Sequence, residues 1–168
     1  ALCLSAAAPA QACGTTTPCP VGDRGYFLRA PDTWDGVSPL PVLLHFHGWG
    51  RQGDLIINHG RIAILDVASD VLLLAPNGLG GSWRFRQAGS PDSTFARAVL
   101  ADAAERFPID PARIYVSGYS WGANMAWRFV CEDGADIAAL LAIAGTLPQT
   151  EPCPPSPAEG RQATGATR

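Results

Sequence analysis

The stretch Ile114-Tyr115-Val116-Ser117-Gly118-Tyr119-Ser120-Trp121-Gly122 decides the fold of this chain. β-Branched and aromatic residues lead into Gly-x-Ser-x-Gly, and a segment with the pattern of a helix, residues 123–131, follows at once. A bare Gly-x-Ser-x-Gly also occurs in flexible loops, but strand, sharp turn and helix in this order are typical of a nucleophile elbow. We therefore predict that Ser120 has strained backbone geometry and stands clear of a sheet, at a helix N-terminus that favours negative charge. A side chain at position 118 or 122 would collide with the neighbouring strand or helix, which accounts for both glycines.

Length and composition indicate one globular domain. The chain has 168 residues, and 47% of them are hydrophobic, which is enough for a core. The net charge is −3, with lysine and arginine scattered along the sequence. Nucleic-acid binding requires a concentrated basic surface, so we expect no nucleic-acid partner.

The N-terminus has the pattern of an export signal. Residues 1–8 form a short apolar run, and Ala10-Gln11-Ala12 before Cys13 resembles a cleavage site. Residues 1–12 are therefore predicted to be the remnant of a secretory signal peptide, and we expect a secreted or periplasmic location. The run is too short to span a bilayer, so no membrane span is predicted. Lipidation of Cys13 remains an alternative.

Apart from Cys3 in the predicted signal remnant, the chain has four cysteines, and an even number favours disulfides in an exported chain. Three pairings can be drawn, and Cys13–Cys19 with Cys131–Cys153 is favoured because it closes the shortest loops. The alternative is a metal site. No histidine lies near these cysteines and their spacing is not that of a zinc site, so no metal is predicted.

Apolar runs alternate with helix-like segments along the chain. Such alternation indicates an α/β fold with a parallel sheet. Strands are predicted over residues 24–30, 41–47, 71–75 and 138–144, in addition to the strand of the elbow. Helices are predicted over residues 55–68, from a cap at Asp92 or Ser93 to about residue 106, and after Ser120. Residues 108–112 are predicted to form a turn, and from residue 148 the chain is proline-rich and loop-like.

Four motifs in order resemble those of a known superfamily. They are His47-Gly48-Trp49-Gly50, Ala75-Pro76-Asn77-Gly78, Phe107-Pro108-Ile109-Asp110 and the elbow itself. Together they resemble the α/β-hydrolase superfamily and, more narrowly, its secreted poly(3-hydroxybutyrate) depolymerase-like and feruloyl-esterase-like group. The likeness runs from about Cys13 to Cys153. It implies a mostly parallel sheet with helices on both faces, and no cofactor.

The resemblance also assigns roles to residues of this chain. Ser120 would be the nucleophile, and the backbone N–H groups of Trp121 and Trp49 would form the oxyanion hole. His47, beside Gly48, would hold the oxyanion loop by hydrogen bonding. Gly118, Tyr119 and Gly122 complete the elbow.

Tryptophans are expected near the mouth of such a site. Trp49 and Trp83 lie on glycine-rich loops, where aromatic walls would suit an acyl chain or an aromatic acid, and Trp83 is assigned to the substrate pocket. Trp127, on the helix after the elbow, is predicted to lie in the core.

The sequence departs from the superfamily pattern after the nucleophile. The triad of this fold runs serine, then Asp or Glu, then histidine, yet all three histidines precede Ser120. Three explanations stay open: a C-terminally truncated domain over residues 13–168 that lacks the last strands, a non-catalytic remnant, or an enzyme that recruits His47 or His45. Truncation would leave the strand at 138–144 as an exposed apolar edge and lower the solubility.

The expected function is that of a secreted serine hydrolase. It would cleave carboxylic esters, either polyhydroxyalkanoate or hydroxycinnamoyl and short-chain esters, through an acyl-enzyme on Ser120. The base and acid of the triad would come from outside this chain. A serine peptidase of the same fold and a non-catalytic binding module are the alternatives.

Overall fold

A computed structural model describes residues 13–59, 69–146 and 153. The predicted signal remnant, residues 1–12, lies outside the described residues. So do the later part of the helix predicted over 55–68 and all of the proline-rich tail except Cys153.

Six strands form one mixed, mostly parallel sheet. They are β1 (Cys19–Val21), β2 (Arg24–Arg29), β3 (Leu40–Phe46), β4 (Leu72–Pro76), β5 (Ile109–Tyr119) and β6 (Ala139–Ile143). Their order in the sheet is β1-β2-β4-β3-β5-β6. The pairs β1–β2 and β2–β4 are antiparallel, whereas β4–β3, β3–β5 and β5–β6 are parallel. The turn predicted at 108–112 is wrong, since residues 109–112 already belong to β5.

Helices cover both faces of this sheet, as predicted. They are α1 (Gly53–Asn58), α2 (Pro91–Arg106) and α3 (Trp121–Asp133). Helices α2 and α3 cover one face, where Phe95, Val99, Met125 and Phe129 pack against the strands. Helix α1 covers the other face, where Ile56 and Ile57 join a smaller apolar cluster. The central strands β3 and β4 are therefore buried on both faces, which explains their nearly unbroken apolar sequences.

Helix α2 begins two or three residues earlier than the sequence suggested. Ser90 is its N-cap and accepts a hydrogen bond from the backbone N–H of Asp92 at 3.1 Å, with Pro91 at the first helical position. The prediction of a cap at Asp92 or Ser93 is wrong because both side chains are buried inside the first turn. Asp92 instead forms an ion pair with Arg24 of β2 at 2.7 Å.

Two disulfides are present in the favoured pairing. Cys13 joins Cys19 at the start of β1, with the Cα atoms 4.8 Å apart. Cys131, in the last turn of α3, joins Cys153, with the Cα atoms 5.0 Å apart. Each disulfide therefore ties an irregular segment to an element of the core.

Helix α3 packs unusually close to β3 at Gly122. A Cβ atom at this position would lie 2.0 Å from the carbonyl oxygen of Phe46 and 2.4 Å from that of His47. The helix can reach the sheet only because residue 122 has no side chain. At the facing position, a Cβ atom on Gly118 would lie 2.2 Å from the carbonyl oxygen of Gly122.

Strand β6 is an edge of the sheet. Among the described strands it pairs with β5 alone, and its residues alternate between exposed and half-buried. Leu141 and Ile143 are 47% and 41% exposed. An exposed apolar edge strand is a template for pairing with another chain.

We expect Gly122→Ala to lower the free energy of unfolding by about 3 kcal/mol or more, because the new methyl group displaces backbone rather than a flexible side chain. Urea denaturation measures the change. Gly134→Ala is the matched control. Gly134 has φ −63° and its Cβ would meet nothing closer than 3.4 Å, so this variant should stay within about 1 kcal/mol of wild type. Equal losses in the two variants would contradict the close contact.

We expect the 168-residue chain to self-associate through β6 and Leu141→Lys to reduce that association, because a charge on an edge strand opposes strand pairing. Light scattering over a concentration series measures the average mass. Val37→Lys adds the same charge at an apolar residue that is 75% exposed but lies away from the edge. A wild-type chain that is monomeric throughout, or two variants with equal effects, would argue against association through β6.

Candidate active site

Ser120 occupies a sharp turn between β5 and α3. Its φ and ψ are 53° and −116°, a conformation that is unfavourable for a residue with a side chain. The Ser120 N–H donates to the carbonyl of Ile143 in β6 at 2.8 Å, and the Ser120 carbonyl accepts from the N–H of Ala123 at 2.9 Å. The neighbouring strand and the first turn of the helix therefore hold the strained backbone in place.

Ser120 stays partly accessible to solvent at this turn. The residue is half-buried, and its hydroxyl forms no hydrogen bond with the residues that the structure describes. An uncommitted hydroxyl at a strained strand-to-helix turn is the arrangement that presents a serine oxygen to a substrate.

The loop after β3 lies beside this turn. Phe46 and Gly118 are paired in the parallel register of β3 and β5, so the residues that follow each strand meet at the same sheet edge. A Cβ atom on Gly48 would lie 3.2 Å from the ring of Tyr119. Gly50 N–H donates to the carbonyl of Gly81 at 2.8 Å, which joins this loop to the one after β4.

Two backbone donors remain uncommitted at this edge. The N–H groups of Trp49 and Trp121 donate no hydrogen bond to any residue within 13–59, 69–146 or 153. Trp121 is the first residue of α3, where the helix has unpaired N–H groups and favours an anion.

His47 joins the loop after β3 to the connection between β4 and α2. Its Nδ1 donates to the carbonyl of Gly48 at 2.8 Å, and its Nε2 accepts from the N–H of Gly78 at 3.0 Å. Its own carbonyl accepts from the indole N–H of Trp83 at 2.8 Å. These bonds require a neutral ring, and burial lowers the pKa of His47 below its ordinary value. Because both ring nitrogens are occupied, His47 has no nitrogen available for the Ser120 proton.

The other two histidines lie elsewhere. His45 is 2% exposed and its Nδ1 forms a hydrogen bond with the Ser117 hydroxyl at 2.8 Å, beneath the elbow. Burial, with a smaller contribution from His47, lowers the pKa of His45 to about 4. His59 is exposed at the C-terminus of α1, on the face of the sheet opposite α3.

The tryptophans match their predicted positions only in part. Trp83 is 3% exposed and packs edge-to-face against Phe46, so most of its side chain lies in the core, where it supports the His47 loop. Its assignment to the substrate pocket stays a prediction. Trp127 was expected in the core but is 39% exposed. Trp49 is 71% exposed beside the elbow, as its glycine-rich loop suggested.

A buried ion pair beneath the site had no signal in the sequence. The Arg24 guanidinium contacts Asp92 at 2.7 Å, donates to the carbonyl of Asn77 at 2.8 Å and lies 3.7 Å from the centre of the Phe95 ring. Asn77 in turn accepts from the N–H of Gly53 at 2.8 Å, at the start of α1. This set of contacts fixes the loop that carries Gly78, the partner of His47.

Neither a metal cluster nor a membrane helix is found in the described part of the chain. No group of three or more His, Cys, Asp and Glu side chains there could hold a metal ion. Of the described helices, none combines the length and the hydropathy needed to cross a bilayer.

We expect the free energy of unfolding to fall as the pH is lowered from 6.5 to 4. The folded protein holds His45 neutral to a pKa of about 4, whereas the unfolded chain takes up its proton near pH 6.5. The unfolded state therefore binds more protons in this range, and the loss reaches about 3 kcal/mol at the acid end. Urea denaturation at several pH values measures the slope.

Two histidine-to-glutamine variants, one of them a control, test whether His45 causes this slope. His45→Gln removes one buried histidine and should reduce the slope, to which buried His47 also contributes, whereas His59→Gln removes an exposed histidine and should keep the wild-type slope. An unchanged slope in His45→Gln would contradict the assignment to His45.

Comparison with known proteins identifies esterases. No protein-family model matches the chain. Feruloyl esterase C of Emericella nidulans is 24% identical over 132 residues, covering 76% of this chain and 48% of that protein. Feruloyl esterase D of Neurospora crassa is 25% identical over 163 residues, covering 84% and 56%. The chain thus spans about half the length of the curated relatives it matches, and the predicted resemblance to feruloyl esterases is confirmed.

Solved structures agree on the architecture. The acetyl xylan esterase from Aspergillus awamori superposes with a TM-score of 0.59 at 15% identity, covering 70% of this chain and 45% of that one. The native form of pOPH superposes with a TM-score of 0.63 at 18% identity, covering 83% and 53%. This chain has the α/β-hydrolase fold, and the proteins that it resembles in sequence are esterases.

Proposed function

We propose that this chain carries the nucleophile and the oxyanion hole of a serine carboxylic-ester hydrolase. The observation that carries the proposal is the elbow. Ser120 has a positive φ at a strand-to-helix turn, and its hydroxyl is uncommitted among the described residues. The similarity to feruloyl esterases supports ester hydrolysis as the reaction class.

The geometry fits a two-step acyl transfer. The Ser120 oxygen attacks the ester carbonyl and loses its proton to a base, the C–O bond breaks, and the proton passes to the leaving alcohol. Water then attacks the acyl-enzyme and releases the acid. The N–H groups of Trp49 and Trp121 would donate to the developing oxyanion, and each such donor contributes about 3–4 kcal/mol of transition-state stabilisation.

The general base is proposed to lie outside these 168 residues. His47 has both ring nitrogens engaged, and His45 is enclosed beneath the elbow with its Nδ1 on Ser117. A serine without a base is a weak nucleophile, so rapid turnover requires a histidine and its orienting carboxylate from elsewhere in the whole protein.

The substrate class follows from the relatives and from the mouth of the site. Trp49 presents an exposed indole beside the elbow, and Tyr119 is 54% exposed next to it. Such rings suit the acyl chain of a short-chain or polyhydroxyalkanoate ester or the aromatic acid of a hydroxycinnamoyl ester. A secreted or periplasmic location accords with the two disulfides.

A non-catalytic binding module is the second candidate. The placement of the histidines favours it, because neither buried ring offers a base to Ser120 within the described residues. The elbow and the exposed aromatic rings would then bind an ester or a related ligand without cleaving it.

The test is the reaction of the chain with p-nitrophenyl butyrate. We expect slow release of at most one equivalent of p-nitrophenolate, with the butyryl group found on Ser120 by peptide mass analysis, because the oxyanion hole remains while the base is absent. Ser120→Ala should abolish the labelling, and Ser69→Ala, which changes an exposed serine, should retain it.

The outcomes separate the candidates. Fast turnover lost in Ser120→Ala would place the base among His45, His47 and His59 and contradict the external base. Identical behaviour of wild type and Ser120→Ala would contradict the nucleophile and favour the binding module.

A further inference from the structure

The segment Trp83-Arg84-Phe85-Arg86 has no role in the ester chemistry described above. Its residues alternate in burial: Trp83 and Phe85 are 3% and 1% exposed, whereas both arginines are exposed. In an extended segment, alternate side chains leave on the same side. The two guanidinium groups are therefore presented together on the outer side of the segment.

Side chains from α2, α3 and the helix cap hold the backbone of the first three residues of this segment. The Trp83 carbonyl accepts from the indole N–H of Trp121 at 3.3 Å. Arg84 N–H donates to the Asp92 carboxylate at 2.6 Å, and its carbonyl accepts from the Ser90 hydroxyl. The Phe85 carbonyl accepts from Arg128 at 2.8 Å. An irregular segment held this firmly is a rigid platform for the side chains that it displays.

The two arginines are not neutralised by the described residues. Neither forms an ion pair with a described carboxylate. The nearby acids are engaged elsewhere: Asp92 pairs with Arg24 at 2.7 Å, and Glu132 accepts from the N–H of Gly89 at 3.1 Å. Two positive charges thus remain locally uncompensated in a chain of net charge −3.

Both arginines line a cavity formed by the segment that leads into α2. The cavity has a volume of about 370 Å³, and residues 87–91 complete its wall together with Trp83. The Arg86 guanidinium carbon lies 5.6 Å from the centre of the Trp121 ring. This cation–π contact places the Arg86 guanidinium beside the residue whose N–H is the proposed oxyanion donor.

We propose that Arg86, assisted by Arg84, binds a carboxylate carried by the ester substrate. This inference rests on the proposed function and narrows its substrate class to anionic esters. A guanidinium presents its N–H donors as a planar fork, which matches the two oxygens of a carboxylate. The carboxylate belongs either to the acyl part, as in a dicarboxylic half-ester, or to the alcohol part, as in an ester of a hydroxy acid.

Binding can be measured without turnover through the indole ¹⁵N–¹H signal of Trp121. The probes are monomethyl glutarate, with the carboxylate on the acyl side, butyryloxyacetate, with the carboxylate on the alcohol side, and the neutral dimethyl glutarate. We expect at least one anionic probe to shift the Trp121 signal and to bind about fivefold or more tightly than dimethyl glutarate. The tighter of the two anionic probes identifies the side that carries the charge.

Substitutions assign the effect to the arginines. Arg86→Gln should remove the difference between anionic and neutral probes while leaving the binding of dimethyl glutarate within about twofold. Arg84→Gln should reduce the difference between anionic and neutral probes in part. Arg29→Gln is the matched control, because Arg29 lies on β2 and pairs with Asp32. It should behave as wild type.

Equal affinities for anionic and neutral probes in the wild-type chain would overturn the proposal, as would an anion preference that survives Arg86→Gln and Arg84→Gln together. If the proposed ester hydrolysis is wrong instead, p-nitrophenyl butyrate would not label Ser120, whereas the preference for anionic probes at Trp121 would remain.

Discussion

The contact between Gly122 and the last residues of β3 is the constraint on which the site depends. Backbone meets backbone there, with a Cβ position only 2.0 Å from the Phe46 carbonyl oxygen. This close approach sets the N-terminus of α3 directly against the end of β3. It thereby brings the loop of Trp49 close to Ser120, as the proposed oxyanion hole requires. A wider spacing between helix and sheet would separate Ser120 from one of the two proposed N–H donors.

The loops around this contact are held by polar groups that are satisfied inside the protein. His47 ties the loop after β3 to Gly78 and Trp83, and the Arg24–Asp92 pair stands beneath them. Breaking such a buried pair by removing one partner leaves an uncompensated charge, which costs about 3–5 kcal/mol. His47 must also stay neutral, because a second proton on its ring would remove the acceptor of the hydrogen bond from the Gly78 N–H. The residues that hold the proposed oxyanion loop in place are thus the ones least able to transfer a proton.

The features predicted from sequence are those that short-range patterns determine. The elbow follows from two glycines and a serine at fixed spacing, and β3 and β4 from apolar runs that need cover on both faces. The features that were missed depend on packing between distant segments. Trp83 is drawn inward because its indole N–H finds the His47 carbonyl 36 residues away, and Asp92 leaves the helix cap because Arg24 lies beside it. Neither partner could be chosen from the sequence, since several arginines and carbonyl groups were equally eligible.

The described residues offer candidates for the nucleophile and the oxyanion donors but not for the general base. The proposed nucleophile and oxyanion donors lie where the ends of β3 and β5 meet, and β3 is buried on both faces. Proton transfer is a different requirement, since it needs an imidazole nitrogen that is both exposed to Ser120 and free to change its charge. His45 lies on the adjacent strand β3 and His47 directly follows that strand, yet the burial that lets both rings support the structure also lowers the pKa of each. A histidine at the end of β3 therefore serves as a support or as a base, and the hydrogen bonds to Gly48, Gly78 and Ser117 commit both rings to support.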